Sequence, residues 1–382
     1  MKKKLLFVLP SFGIGGTTVS TRNLISLLEK EGYECWAMPM QKRGVLCELY
    51  NNVNRLAAPF AVQALSYGGW KEAPTLPKKI VAIVLRGLCN ISTTFEKHLV
   101  GNALDKVISG YGFDTIVACQ ESITSKFVSY VNHPNKVAWV RCDYNRIFEK
   151  NNHQKENFYQ HFKAVVCVAE ETCKHFKTIY PEYKGKTYCI PNPQDSDFLI
   201  RRAEQTENEP HFINDKFTIV SVGRLDPIKR FGHIAPIAKQ LLERGQNFRW
   251  YIIGDGPEKI EIEQSIKRYG VEDCVVMLGA KTNPHYYIKN ADLYVCLSLS
   301  EACPRVINEA KVLHTPVVST DFDTAKEFIA TEENGLICPI ESIADGILRM
   351  MTDNNLRERV LDNINKFSFD NTDIINQIEN IL

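Results

Sequence analysis

The sequence predicts an α/β chain of two Rossmann-like, doubly wound domains. Three observations predict it: short continuous apolar runs of the kind that form strands buried on both faces, helix-length stretches between them, and a break in that rhythm near the middle of the 382 residues. At about 150 residues per domain the length suits two domains. Hydrophobic residues make up 44% and charged residues 24%, the ordinary globular mix, which excludes a disordered, collagenous or coiled-coil chain.

Residues 5–9 form the first apolar run, followed by a Gly/Ser-rich loop and a helical pattern over 19–30. Similar runs at 33–38, 115–118, 137–140 and 164–168 each precede a polar or helical segment, so a parallel sheet is expected. Residues 196–215 are polar, with Arg201, Arg202, Glu204, Glu207 and Glu209, and show no usable apolar period. The domain link is expected inside this segment or just before it, giving a first domain over 1–195 and a second over 196–365. The rhythm restarts with strands expected at 217–222, 249–253, 275–278, 293–297 and 317–319, and 342–382 reads as helices. In such sheets ligands bind beyond the carboxyl ends of the strands, so the residues after strand ends matter most.

Lys plus Arg number 46 against 45 Asp plus Glu, and the formal charge of +1 gives no reason to expect a nucleic-acid partner. The balance is uneven, however. Residues 1–190 hold 25 Lys/Arg and 15 Asp/Glu, or +10, and the remainder holds 21 against 30, or −9. The twelve cysteines include no C-x-x-C pair or zinc spacing and read as buried thiols of a reducing cytosol. Met1 to Lys4 and the following apolar run resemble the start of a signal peptide, but the run is too short and leads into glycines. No stretch reaches the roughly 18 apolar residues of a membrane span, so a cytoplasmic protein is expected.

The loop after the first strand reads Gly13-Ile14-Gly15-Gly16-Thr17-Thr18. Its glycines let a backbone approach a ligand closely, but Thr18 breaks G-x-G-x-x-G and no acidic residue ends the second strand, which argues against a dinucleotide site. In the second half the first strand ends in Gly223-Arg224-Leu225-Asp226-Pro227-Ile228-Lys229-Arg230. Arg224 offers a planar donor fork and Lys229 a point charge, which together suit a departing pyrophosphate. Two solvated cations are the bland alternative. Further on, Glu301 is expected to close the strand that begins near Leu293, and Pro304 suits the first turn of a helix that carries Glu309 and whose amino end suits an anion. Two carboxylates spaced this way either reach different parts of one ligand or simply decorate a helix surface.

Taken in order, the Gly-Arg-Leu loop with its lysine, Gly254-Asp255-Gly256-Pro257, Asn290-Ala291-Asp292, the two glutamates, Thr315-Pro316-Val317-Val318-Ser319-Thr320 and Asn334-Gly335-Leu336 closely resemble the family-4 retaining glycosyltransferases of the GT-B fold. The match runs through residues 217–338. Weaker likeness at the glycine loop and at Ile190-Pro191-Asn192-Pro193 covers most of the rest. The resemblance implies two Rossmann-like domains facing across a cleft, with residues 366–382 forming a helix that crosses back to the first. It implies transfer of a sugar from a nucleotide-diphosphate donor, a UDP-sugar by family habit, to a hydroxyl of a saccharide or lipid-linked saccharide, with anomeric retention.

Residue by residue, the resemblance assigns catalysis to Arg224, Lys229 and Glu301. Gly223, Arg224 and Lys229 would hold the diphosphate, with Gly15 and Gly16 of the other domain letting it approach. Glu301, Ala302, Cys303 and Pro304 would meet the donor sugar, Gly279, Ala280 and Lys281 would lie beside the base, and Glu309 would accept from the ribose. No cofactor or metal is expected, because two cations and a helix amino end can replace a divalent ion. Two departures stand out. Ala302-Cys303 replaces the usual Gly-Phe, and Arg141 stands where many relatives carry a histidine, two residues before Asp143. Arg141 and Asp143 remain candidates for the acceptor side, and a purely structural Arg141–Asp143 pair remains open beside that. So do two other functions, nucleotide-sugar epimerisation in the same architecture and sugar-nucleotide binding without turnover. Residues 77–88, including Lys78, Lys79 and Arg86 among apolar neighbours, are expected either to rest peripherally on an anionic membrane or to form an ordinary buried helix.

Overall fold

A computed structural model describes residues 3–41, 44–66, 75–205, 212 and 216–382. The chain divides into two compact units, one comprising Met1–Gln194 with Asn371–Leu382 and the other Asp195–Asp370. The boundaries read from sequence stood at 195/196 and 365/366.

In the first unit the elements run β1 (Lys4–Leu9), α1 (Gly16–Lys30), β2 (Glu34–Pro39), β3 (Asn54–Arg55), α2 (Phe60–Leu65), α3 (Leu76–Ile91), α4 (Thr93–Ile108), β4 (Thr115–Ala118), α5 (Ile123–Ser129), β5 (Lys136–Val140), α6 (Tyr144–Lys150), β6 (Ala164–Cys167), α7 (Glu170–Ile179) and β7 (Thr187–Cys189). The sheet is parallel in the order β3-β2-β1-β4-β5-β6-β7. Leu5, Leu6, Phe7, Val8 and Leu9 are all buried, as expected of a strand covered on both faces.

The second unit continues with α8 (Ser196–Glu204), β8 (Phe217–Val222), α9 (Ile234–Glu243), β9 (Phe248–Ile253), α10 (Lys259–Tyr269), β10 (Val275–Gly279), α11 (Pro284–Lys289), β11 (Leu293–Cys296), α12 (Arg305–Val312), β12 (Val317–Thr320), α13 (Ala325–Phe328), β13 (Leu336–Cys338), α14 (Ile343–Thr352) and α15 (Asn354–Asn365). Its sheet is parallel in the order β10-β9-β8-β11-β12-β13. The last helix, α16 (Thr372–Ile381), belongs to the first unit. There Tyr33 Oη donates to Glu379 (3.0 Å) and Thr115 Oγ1 to the carbonyl of Leu382 (2.8 Å).

Three sequence expectations are corrected. Residues 196–204, read as part of a link, form α8, whose Asp195 cap accepts from Phe198 N at 3.2 Å and whose Leu199 and Ala203 are buried one turn apart. Glu207, Glu209 and the remainder of that segment, apart from residues 205 and 212, lie outside the described residues. The helix of the glycine loop starts at Gly16, three residues before the expected 19. Finally, the cysteines are not all buried: Cys47, Cys142, Cys189, Cys303 and Cys338 are half-buried, although all twelve remain thiols.

Candidate functional site

In each sheet the strand order reverses once, between β1 and β4 in the first unit and between β8 and β11 in the second. Such a switch point opens a crevice at the carboxyl ends of the two strands concerned. In the second unit those ends lead into Gly223–Arg230 and into Leu297–Pro304.

Backbone bonds fix the first of these loops. Gly223 N donates to Ile253 O and Leu225 N to Asp255 O, both at 3.0 Å, and Leu225 is fully buried. Asp226 caps a short turn over Pro227–Lys229, accepting from Lys229 N at 3.3 Å, and Arg230 then takes a left-handed backbone with φ 52°. A non-glycine residue in that region carries strain that its surroundings must hold. The turn throws the Lys229 side chain back over the strand ends. There its ammonium contacts Glu301 Oε1, and the same carboxylate oxygen accepts from Ser298 Oγ at 2.6 Å. Burial alone would lower the Lys229 pKa; Glu301 and nearby Cys296 outweigh it and hold the group above its usual value. Arg224, by contrast, leaves 73% of its side chain exposed, with Asp226 3.9 Å from its Nε.

The Glu301 segment is tied down as firmly. Leu299 N donates to Ile228 O (2.7 Å), Thr320 Oγ1 to Ser298 O (2.6 Å) and Thr324 Oγ1 to Glu301 O (2.8 Å). Pro304 caps α12, where the amide of Arg305 is already turned to Cys303 O at 2.8 Å. The expectation of an uncommitted helix start facing phosphates fails at that amide. Glu309, in the second turn, is buried. Arg305, one turn before it, contacts Oε1, and His285 Nε2 stands 3.5 Å from Oε2. Desolvation would raise its pKa, but the Arg305 charge and the His285 ring lower it to about 2. The carboxylate that the resemblance assigned to the ribose therefore already has Arg305 at one oxygen and His285 near the other.

Residues 203–367 match the family described as glycosyl transferases group 1. That match covers less than half of the chain. Across 255 residues the chain is 26% identical to an uncharacterized glycosyltransferase of Methanocaldococcus jannaschii, covering 64% of this chain and 60% of that one. It is 30% identical over 150 residues to the N-acetylgalactosamine-N,N'-diacetylbacillosaminyl-diphospho-undecaprenol 4-alpha-N-acetylgalactosaminyltransferase of Campylobacter jejuni, covering 38% of this chain and 40% of the relative. The crystal structure of Anabaena HepE in complex with UDP and glucose superposes with a TM-score of 0.77 at 17% identity, covering 99% of this chain and 98% of the other. The architecture is therefore GT-B.

In the second unit Gly279 ends β10, and Ala280 and Lys281 follow it in a loop braced by α8. Arg202 Nη2 donates to Thr282 O (2.6 Å), and Asn283 Nδ2 returns a bond to Arg202 O (2.8 Å). Ala302 and Pro304 are buried beside Glu301, and Cys303 is half-buried. The remaining candidates lie in the first unit. Gly15 caps α1 and Gly16 begins it. The Arg141 side chain gathers the ends of several elements, donating from Nε to Cys119 O (2.8 Å) and from Nη1 to Ser20 Oγ (2.6 Å) and Asn192 Oδ1. Asp143 caps α6 and faces His175 Nδ1 at 3.0 Å. Arg141 is thus built into the switch point of the first sheet, and the carboxylate has its own histidine. Ser298, Asp226, His285, Arg305 and His175 were not singled out from sequence as site residues. Two of them carried a local signal: Asp226, an acid directly before Pro227, that of a helix cap, and Arg305, four residues before Glu309, that of a helical ion pair.

Proposed function

We propose that the chain is a retaining, metal-independent glycosyltransferase that moves a sugar from a nucleotide-diphosphate donor, a UDP-sugar, to a hydroxyl of a saccharide or lipid-linked saccharide. The observation that carries this reading is the Lys229–Glu301 contact at the switch point of the second sheet, with Arg224 exposed on the same loop. Side by side, an ammonium and a carboxylate match the two sides of a sugar-phosphate linkage, which offers anionic oxygens to the cation and hydroxyl donors to the acid. The HepE complex with UDP supports the nucleotide, and the Campylobacter relative, whose name specifies an undecaprenol-diphosphate-linked saccharide, supports the acceptor class.

In this mechanism Lys229 and Arg224 stabilise negative charge as the diphosphate leaves. Glu301 orients the sugar hydroxyls, and Ser298 holds Glu301. The departing phosphate oxygen takes the proton of the incoming hydroxyl on the face it leaves, so configuration is retained. Fixed charges of this kind are worth most where charge develops.

A thermal-shift screen of nucleotide sugars identifies the donor, because a ligand bound at 100 times its Kd adds about 2.7 kcal/mol to stability. Product from that donor and a saccharide acceptor is then read by NMR for anomeric configuration, with a chelator present. Retained configuration and undiminished turnover are expected. Inversion, loss of activity on chelation, or isomerisation of the donor without an acceptor overturns the proposal.

A further inference from the structure

Helix α3 presents the reverse of a normal surface helix. Its packed stripe is Ala82, Leu85, Arg86 and Cys89, at spacing i, i+3, i+4 and i+7, with Ala82 and Cys89 buried. Arg86 belongs to that inner side, donating from Nε to Ala64 O at 3.0 Å and from Nη2 to the carbonyls of Leu65 (3.3 Å) and Ser66, where α2 ends. Outward stand Leu76, Ile80, Val81, Ile83, Val84, Leu88 and Ile91, each between 45% and 85% exposed. At about 100° per residue no charged residue falls on that outward arc, and Lys78 and Lys79 flank the packed stripe at the amino-terminal end. Water is a poor solvent for such a face.

The surrounding charge indicates what covers it. Helix α3 contains three basic residues and no acid. On α4, Lys97 and Lys106 are exposed, whereas both acids have partners within the unit. Glu96 pairs with Lys126 at 2.6 Å and accepts from Tyr130 Oη at 3.1 Å, and Asp105 Oδ1 accepts from Asn132 N at 2.9 Å. The pair of helices therefore shows solvent an apolar ridge and cations. Sixteen residues rise about 24 Å, too short to cross the ~30 Å hydrocarbon layer, and no helix among the described residues is long and apolar enough to do so. An apolar arc without charge, with lysines beside the packed stripe at one end of the helix, suits a helix lying in the plane of a bilayer.

We propose that the outward face of α3 docks the first unit onto an anionic lipid bilayer, inserting Ile80, Ile83, Val84, Leu88 and Ile91 among the acyl chains while Lys78 and Lys79 reach the headgroups. The docking stands apart from the donor chemistry, and its test measures binding alone.

The experiment is co-sedimentation of the full chain with phosphatidylcholine vesicles with and without phosphatidylglycerol, alongside size-exclusion chromatography with light scattering. The expected result is binding to the anionic vesicles, weakened about fivefold for each of Lys78→Gln and Lys79→Gln. It should fall at least tenfold in the double variant Ile83→Glu/Val84→Glu, whose thermal midpoint should stay unchanged because both positions are exposed. Ile260→Glu, an exposed apolar position on α10 of the second unit, should bind like the parent chain. Three outcomes overturn the proposal: no binding to anionic vesicles, equal binding by the α3 double variant, or a dimer that the double variant dissolves in a chain that ignores vesicles.

Discussion

Replacing Lys229 with methionine keeps most of the aliphatic stem and removes the charge that touches Glu301. On the proposed mechanism the same charge holds the departing diphosphate. Two unit charges about 4 Å apart interact by about 4 kcal/mol at an effective dielectric of about 20. At about 1.36 kcal/mol per decade that corresponds to roughly 10³ in rate. Arg224 remains on the same loop and takes up part of the load, so the expected loss is about 10² to 10³ in turnover, the range found for deleting one preorganised donor. It falls on kcat more than on KM, because the charge grows on the way to the transition state. Folding suffers less. Glu301 keeps Ser298 at 2.6 Å and is 16% exposed, so the stranded carboxylate costs about 1 to 3 kcal/mol. The assay follows nucleoside diphosphate release with a coupled phosphatase, at a temperature where circular dichroism shows the variant folded. A folded Lys229→Met protein with the parent kcat would refute the reasoning.

Glu309→Gln tests the buried ion pair by pH. Its folded-state pKa of about 2 lies below the ordinary 4.5, so the carboxylate contributes stability above about pH 4.5 and loses it as pH falls toward 2; urea unfolding should show a cost of about 3 kcal/mol at pH 7 that shrinks markedly at pH 3. Gly256→Ala and Gly15→Ala should behave oppositely. A Cβ on Gly256 would lie 2.3 Å from Leu225 O and displace the Arg224 loop, costing about 1 to 3 kcal/mol and weakening donor binding in a thermal-shift titration. A Cβ on Gly15 meets nothing within 4 Å, on extended backbone, and should move stability by less than about 0.5 kcal/mol, so any loss of turnover there reports a ligand's approach.

The buried strands were legible because a strand covered on both faces has to be apolar along its length: 115–118 and 217–222 coincide with β4 and β8. Strands β3, β7 and β13 were not read, being two or three residues long at sheet edges, where partial exposure dilutes the pattern. Helix α8 escaped because only Leu199 and Ala203 are buried on it, and a single pair one turn apart among charged residues sets no period. In the candidate site, Arg224, Lys229 and Glu301 drew notice in their loops, but their roles came from the family resemblance. That Lys229 would meet Glu301, 72 residues away, depends on β8 and β11 being neighbours in the sheet, and strand order is not written in either segment.

The same limit governs Glu309. Spacing suggested two carboxylates presented to one ligand, yet the two occupy different settings. Glu301 sits in a loop before α12, 16% exposed, whereas Glu309 lies inside the helix with its side chain 5% exposed. An i, i+4 relation to Arg305 was visible in the sequence; the approach of His285 from α11 was not. Glu309 thus has two partners, and they are unequal. Arg305 contacts Oε1 with a charge-assisted hydrogen bond, while His285 Nε2 is 3.5 Å from Oε2 and its other ring nitrogen is buried without a partner. The histidine has less to lose by moving, so on the proposed donor site Oε2 would be the oxygen to take a ligand, with Arg305 holding the carboxylate in place.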